Sequence, residues 1–260
     1  MYSYADEFRA LVDRPDDEID LAAAALTIAA AAEPGLDIGY WQECLNEFAF
    51  GIDDLESLRK RLFTELGFAG DTEDYYDPQN SFLNRTIRRR KGIPITLSVL
   101  TMEVGRRAGI KLEGVGMPGH FLVRVAMTGE HIDPFFGGTL LDEAGCEQRF
   151  RQISGGDSQV PFGPEMLQVV NKKQILARML NNLKAVYRAR SDGSNLEWVV
   201  RMSMAIPEVG PMEVVELGHA LAMQGQFLQG AELIDQVADK HPSVAEQLRL
   251  AALSIRASLN

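Results

Sequence analysis

The sequence predicts an α+β protein: a helix packed on an antiparallel sheet, with helical regions before and after it. Three observations carry this. Ile93, Leu97, Leu100, Val104 and Ala108 recur at helical spacing. Three segments rich in Val, Ile, Leu and Phe follow at 112–117, 120–127 and 130–136, punctuated by Gly and Pro. The flanking stretches read as helical. The chain therefore divides into an N-terminal helical layer (1–70), an α+β core (71–162) and a C-terminal helical region (163–260).

Each element has a local reason. Asp16-Asp17-Glu18 precede the alanine-rich run 21–32, an acidic start that suits the helix dipole, and Pro34-Gly35 stops it. Further helices are expected at about 38–49 and 53–66, ended by Gly67 and Gly70. A polar loop, GDTEDYYDPQN at 70–80, leads to a short helix at about 81–92. Its last turns carry Arg85, Arg88, Arg89, Arg90 and Lys91, cations that a helix C-terminus favours and that also form a candidate basic binding patch. Pro94 opens the next helix, where its missing N–H costs nothing, and Gly109 ends it. Thr128-Gly129 mark a hairpin turn. A long amphipathic helix is expected at 165–189, then helices at 195–205, 211–224, 227–240 and 243–258. In the last group Leu217-Gly218, Gly225, Phe227, Gly230-Ala231 and Pro242 match the spacing of one tetratricopeptide repeat, which cannot bury its face alone and is expected to dock on the core.

Charge and cysteine content exclude several classes. The net charge is −11, and the first 80 residues hold 19 acidic side chains against 5 basic ones. That balance argues against nucleic-acid or anionic-membrane binding, since phosphates need Lys and Arg. Two distant cysteines, Cys44 and Cys146, allow no disulfide framework. No signal peptide is evident, and the apolar run 21–32 is about half the length of a membrane helix, so cytoplasmic residence is expected. No cofactor is expected, and the oligomeric state is not legible.

The chemistry concentrates at 92–136. His120 follows Pro118-Gly119, a turn that delivers it to a strand start, and Asp133 sits in the following strand. A nucleophile at the start of the preceding helix would gain free N–H groups and a partial positive charge. A strand His would take its proton and an Asp would orient the His. A two-residue turn at Thr128-Gly129 places Asp133 opposite Arg124, about 13 Å from His120 along the strand. A cross-strand ion pair with Arg124 is then the structural reading of Asp133. Contact with His120 needs a turn near Ala126-Met127 or a bulge; either register keeps both on one sheet face. Thr96 and Ser98 are the hydroxyls near the helix start, and both also read as capping or back-bonding groups. Cys44 reads as a small buried hydrophobe among Trp41, Leu45 and Phe48; Cys146 falls in an expected loop. His120, His131 and Asp133 could make a two-His, one-carboxylate set, but strand histidines are more often structural, and no metal is assigned.

The segments DPQNSFLNRTIRRRKGIPITLSVL, GVGMPGHFLVRV and HIDPF, with QILARMLNNLKAVY and ELGHALAMQGQF more loosely, resemble the SirB family over about residues 35–245. That family has a transglutaminase-like core and C-terminal tetratricopeptide-like helices. The resemblance implies a papain-like α+β fold whose ancestral order is nucleophile, His, Asp. It places the nucleophile slot on Pro94, which has no nucleophilic group. Ile93 stands where some relatives carry asparagine. A related module in eukaryotic F-box proteins points to protein recognition. The expectation is a non-catalytic scaffold with a protein or peptide partner. The alternative is a divergent amide hydrolase or transferase using His120 and Asp133 with a non-cysteine nucleophile.

Overall fold

A computed structural model describes residues 4–155 and 161–258. It contains helices α1 (Tyr4–Val12), α2 (Leu21–Ala32), α3 (Ile38–Ala49) and α4 (Leu55–Arg59), the last continuing as a π-helical stretch, Lys60–Glu65. The core follows with β1 (Ala69–Gly70), α5 (Leu83–Arg89), β2 (Lys91–Gly92), α6 (Pro94–Arg107), β3 (Leu112–Val115), β4 (Leu122–Val125), β5 (His131–Asp133), β6 (Thr139–Leu141), α7 (Glu143–Ile153) and β7 (Val169–Val170). Helices α8 (Lys172–Ala189), α9 (Gly193–Ser203), α10 (Glu213–Met223), α11 (Phe227–Lys240) and α12 (Ala245–Ala257) complete it. The α+β class expected from the sequence is observed. Among the described residues, no helix is long and apolar enough to cross a membrane.

Two compact units are present. One comprises Asp20–Ala29 and Gly35–Met179; the other comprises Met1–Ile19, Ala30–Pro34 and Leu180–Asn260.

In the first unit, five strands run β6-β5-β4-β3-β7, every neighbour antiparallel. A separate parallel pair joins β1 to β2. Helix α6 covers one sheet face, with Leu112 of β3 against Gly105. Its residues 94–105 are all buried, so it is covered on every side, as a central helix is. The charge it carries inward, Glu103, is held by Arg107 at 2.6 Å and Arg106 at 3.0 Å. On the opposite face, Val115 and Leu122 pack with Met117 and with Cys146 and Phe150 of α7.

The other unit is helical. Helix α1 packs on α9, burying Phe8 and Val12 completely. Helices α10, α11 and α12 share one core around Val214, Ile234, Leu248 and Ile255. Gly218 and Gly230 let α10 and α11 approach closely: a Cβ on Gly230 would stand 2.7 Å from the Gly218 carbonyl oxygen.

The structure corrects several local expectations. The long helix begins at Lys172, not 165, because Val169–Val170 pair with β3. The 81–92 helix is shorter, since Arg90 turns left-handed at φ 60° and ends it. Asp16–Glu18 form a separate 3-10 turn, and Asp20 meets the start of α2 by accepting from the Ala23 N–H at 2.9 Å. Cys146 lies inside α7 rather than in a loop.

Candidate functional site

The site begins with a turn. Met117-Pro118-Gly119-His120 closes with the His120 N–H donating to the Met117 carbonyl at 3.0 Å. Pro sits where φ is fixed, and Gly119 takes φ +73°, the pattern of a type II turn. Arg178, on α8, locks both ends. Its guanidinium donates to the Met117 carbonyl at 2.9 Å and the His120 carbonyl at 2.6 Å. His120 therefore precedes β4 rather than lying in it, and it is only 4 % exposed.

The register that brings Asp133 to it lies between the two weighed from sequence. Arg124 faces His131 and Val123 faces Ile132, so Asp133 falls opposite Leu122, two residues from His120. The connection is a four-residue loop, 126–129, closed by the Val125 N–H on the Glu130 carbonyl at 2.8 Å. His120 Nε2 then reaches Asp133 Oδ1 at 2.9 Å. A carboxylate only accepts, so Nε2 carries the proton. Nδ1 is left with no hydrogen bond from the described residues. The expected Arg124–Asp133 pair is not formed. Arg124 binds Glu113 at 2.9 Å instead, its neighbour across β3.

Asp133 is fully buried and has its own cation. Arg149 of α7 places Nε 2.8 Å from Asp133 Oδ2, an ion pair without hydrogen-bond alignment. The same guanidinium lies 3.7 Å over the Phe136 ring. The Phe136 N–H donates to Asp133 Oδ1 at 3.3 Å. The carboxylate is thus fixed by a histidine, an arginine and a backbone amide. A buried anion needs such company, since taking it unpaired from water costs several kcal/mol.

A cavity of about 410 Å³ opens beside this dyad. His120, Gly119 and Pro94 form one part of its wall; Phe135, Phe136, Tyr75 and Tyr76 form an aromatic part; Thr72 and Ile153 complete it. Pro94 is the first residue of α6, so the helix start and His120 meet at one cavity. The Tyr75 phenol is pushed up by burial and by Tyr76, with Arg178 opposing.

The other candidates lie elsewhere. Thr96 and Ser98 are fully buried and outside the cavity wall. Ser98 Oγ donates to the Phe121 carbonyl at 3.4 Å, while Thr96 Oγ1 has no partner among the described residues. Burial first, with Asp133, Asp142 and Glu143 adding to it, pushes the Cys146 thiol up to about 12, so it is no thiolate at neutral pH. Cys44 is half-buried on α3. His131 is buried, and both its ring nitrogens lack a partner among the described residues; burial, with Arg124 nearby, lowers its pKa. Among the described residues, no group of three or more His, Cys, Asp or Glu is arranged to hold a metal. Arg89 and Arg90 are engaged internally. Arg89 binds Asp71 at 3.1 Å and Asp77 at 3.0 Å. Arg90 stacks over Phe48 and Phe68. Arg85 is half-buried and Arg88 exposed.

Sequence reasoning missed Arg149, Arg178, Thr72 and the tyrosine pair. The signal for the tyrosines was present, because two adjacent aromatics in a polar loop are unusual company.

Comparison with known proteins adds the lineage. Residues 18–181 match the sequence profile of the transglutaminase-like superfamily. A UPF0162 protein of Xylella fastidiosa is 35% identical over 228 residues, covering 78% of this chain and 80% of that protein. A UPF0162 protein of Vibrio cholerae is 31% identical over 133 residues, covering 50% of this chain and 48% of that protein. F-box only protein 21 of Mus musculus is 33% identical over 139 residues, which are 50% of this chain and 21% of that protein.

Proposed function

This chain belongs to the transglutaminase-like superfamily, and from that premise we propose that it is a non-catalytic scaffold that binds a protein or peptide. The observation that carries the reading is Pro94. It opens α6 on the cavity that His120 also lines, and the resemblance assigns it the slot of the nucleophile. A helix start beside a histidine would lower a thiol's pKa and speed its attack. A proline side chain can do neither. Cys44 and Cys146 do not line the cavity. Four aromatic side chains do, and such residues dominate binding hot spots.

The affinity with F-box only protein 21 supports recognition as the role of the shared segment. The likeness to SirB proteins, the tetratricopeptide-like spacing of α10 and α11 with their glycine contact, and cytoplasmic residence belong to the same proposal. The helices would add protein contacts to those of the cavity.

A second reading is favoured by the intact pair His120–Asp133 at 2.9 Å, backed by Arg149. In it, His120 activates water or a hydroxyl against an amide bond. The test is turnover of glutamine-containing peptides and reaction with a fluorophosphonate, in the unmodified chain and in His120→Ala and Asp133→Asn. The scaffold reading expects no His120-dependent activity and a partner captured through the cavity. Turnover that disappears in His120→Ala would overturn it.

A further inference from the structure

We infer that the cavity is an aromatic cage for a weakly hydrated organic cation carried on a peptide, with methylated lysine as the best fit. This rests on the binding role proposed above and names what is bound.

The walls are rings mostly inclined steeply to their neighbours, with His120 and Phe136 at 47°. Tyr75 and Phe135 lie 5.9 Å apart at 68°, and Phe135 and Phe136 lie 5.2 Å apart at 73°. His120 meets Phe135 at 89°, and Tyr76 meets Tyr75 at 77°. Tyr75, Tyr76, Phe135 and Phe136 all line the one cavity, so their π-systems border a common volume. Each face carries negative quadrupole potential, which is what a cation seeks. The cluster already accepts one cation, since Arg149 lies over Phe136.

The charge of the loop that supplies the two tyrosines agrees. Tyr75 and Tyr76 belong to a loop that also carries Asp71, Glu73, Asp74 and Asp77. Arg89 pairs with Asp71 and Asp77, and Lys91 pairs with Glu73, so four carboxylates meet two cations. The opposing charge is Arg178, close enough to influence Tyr75; its Nη2 donates to the carbonyl oxygens of Met117 and His120. Arg149 is offset by Asp133.

Among the described residues, the wall holds no carboxylate. A bare ammonium would lose its hydration on entry and find no anion to replace it. A trimethylated ammonium is less hydrated and larger, so ring faces and apolar contact hold it better. Arginine, more weakly hydrated than lysine, ranks between them.

The experiment titrates the full chain with Nα-acetyl amides of trimethyllysine, arginine and lysine, and with the neutral tert-butyl isostere of trimethyllysine. Binding is read from aromatic ring signals by NMR. Trimethyllysine is expected to bind most tightly, with the isostere roughly 5- to 30-fold weaker, the range that cation–π energies imply. Tyr75→Ala and Phe136→Ala should abolish the difference, and Tyr40→Ala, at an exposed aromatic outside the cavity, should not. The isostere comparison uses unmodified protein, so a poorly folded variant does not decide the matter. Equal binding of trimethyllysine and the isostere overturns the cation while leaving a peptide site intact. Absence of saturable binding by every probe overturns the cage, and the scaffold reading would then rest on partner capture alone.

Discussion

Pro94 decides how the site is read. It shares a cavity with His120, whose Nε2 is committed to Asp133 and whose Nδ1 is left without a partner among the described residues. If the position is the nucleophile slot, supplying a thiol there should wake it. Pro94→Cys is expected to give a thiol with a pKa well below the ordinary value near 8.5, drawn down by the helix start and the histidine. The rate of alkylation against pH, followed by mass spectrometry, measures it. At pH 6 the introduced thiol should outpace Cys44 by about tenfold or more, given a pKa lowered by a unit or two. Adding His120→Ala should remove most of that advantage. An introduced thiol that titrates normally, with or without His120, would show that the slot is misplaced. His120, Asp133 and Pro94 were legible because each has a marked sequence neighbour: Pro118-Gly119, the Asp-Pro step and the helix pattern. Arg149 and Arg178 were not. They come from later helices, and nothing in a linear pattern says that either guanidinium turns inward.

At the scale of elements, the site depends on a turn that a helix holds from outside. Arg178 bridges the carbonyls at both ends of the Met117-Pro118-Gly119-His120 turn and also lies over Phe121 at 5.4 Å. Hydrogen bonds to a charged donor are worth about 1.5–3 kcal/mol each, and their effects here overlap. Arg178→Ala is expected to destabilise the chain by about 2–4 kcal/mol in a urea titration. The His120 amide should lose hydrogen-exchange protection. Arg178→Lys keeps the charge but lacks the planar guanidinium that lies over Phe121, so it should recover less than half of the loss. Full recovery by lysine would mean that charge alone matters. The helices at 21–32 and 38–49 were read correctly because glycine, proline and periodicity mark them, and Ile38–Ala49 gains a side-chain cap from Asp37 on the Tyr40 N–H. Strands β6 and β7 were not read: three and two residues give no alternation to see. The hairpin loop was placed one residue away from its true centre, and that single shift determined whether Asp133 met Arg124 or His120.

For the whole molecule, connectivity matters more than any local motif. The helical unit draws on both ends of the chain: Met1–Ile19 joins Leu180–Asn260, with Ala30–Pro34 between. A linear reading groups the first residues with their sequence neighbours, because periodicity reports an element's face and not its partner. The partner of α1 is α9, nearly two hundred residues away, and Phe8 and Val12 are fully buried in that unit. The N-terminal helix is therefore expected to stabilise the C-terminal one. Phe8→Ala removes a ring from a closed core and should cost about 3–5 kcal/mol, the sum of lost transfer energy and a residual cavity. Phe8→Leu, which fills more of the space, should cost much less. Hydrogen exchange should locate the damage: amides of α9 (Gly193–Ser203) ought to lose protection in Phe8→Ala. Unchanged protection across α9, together with unchanged stability, would mean that the first helix is not part of the unit to which its contacts assign it.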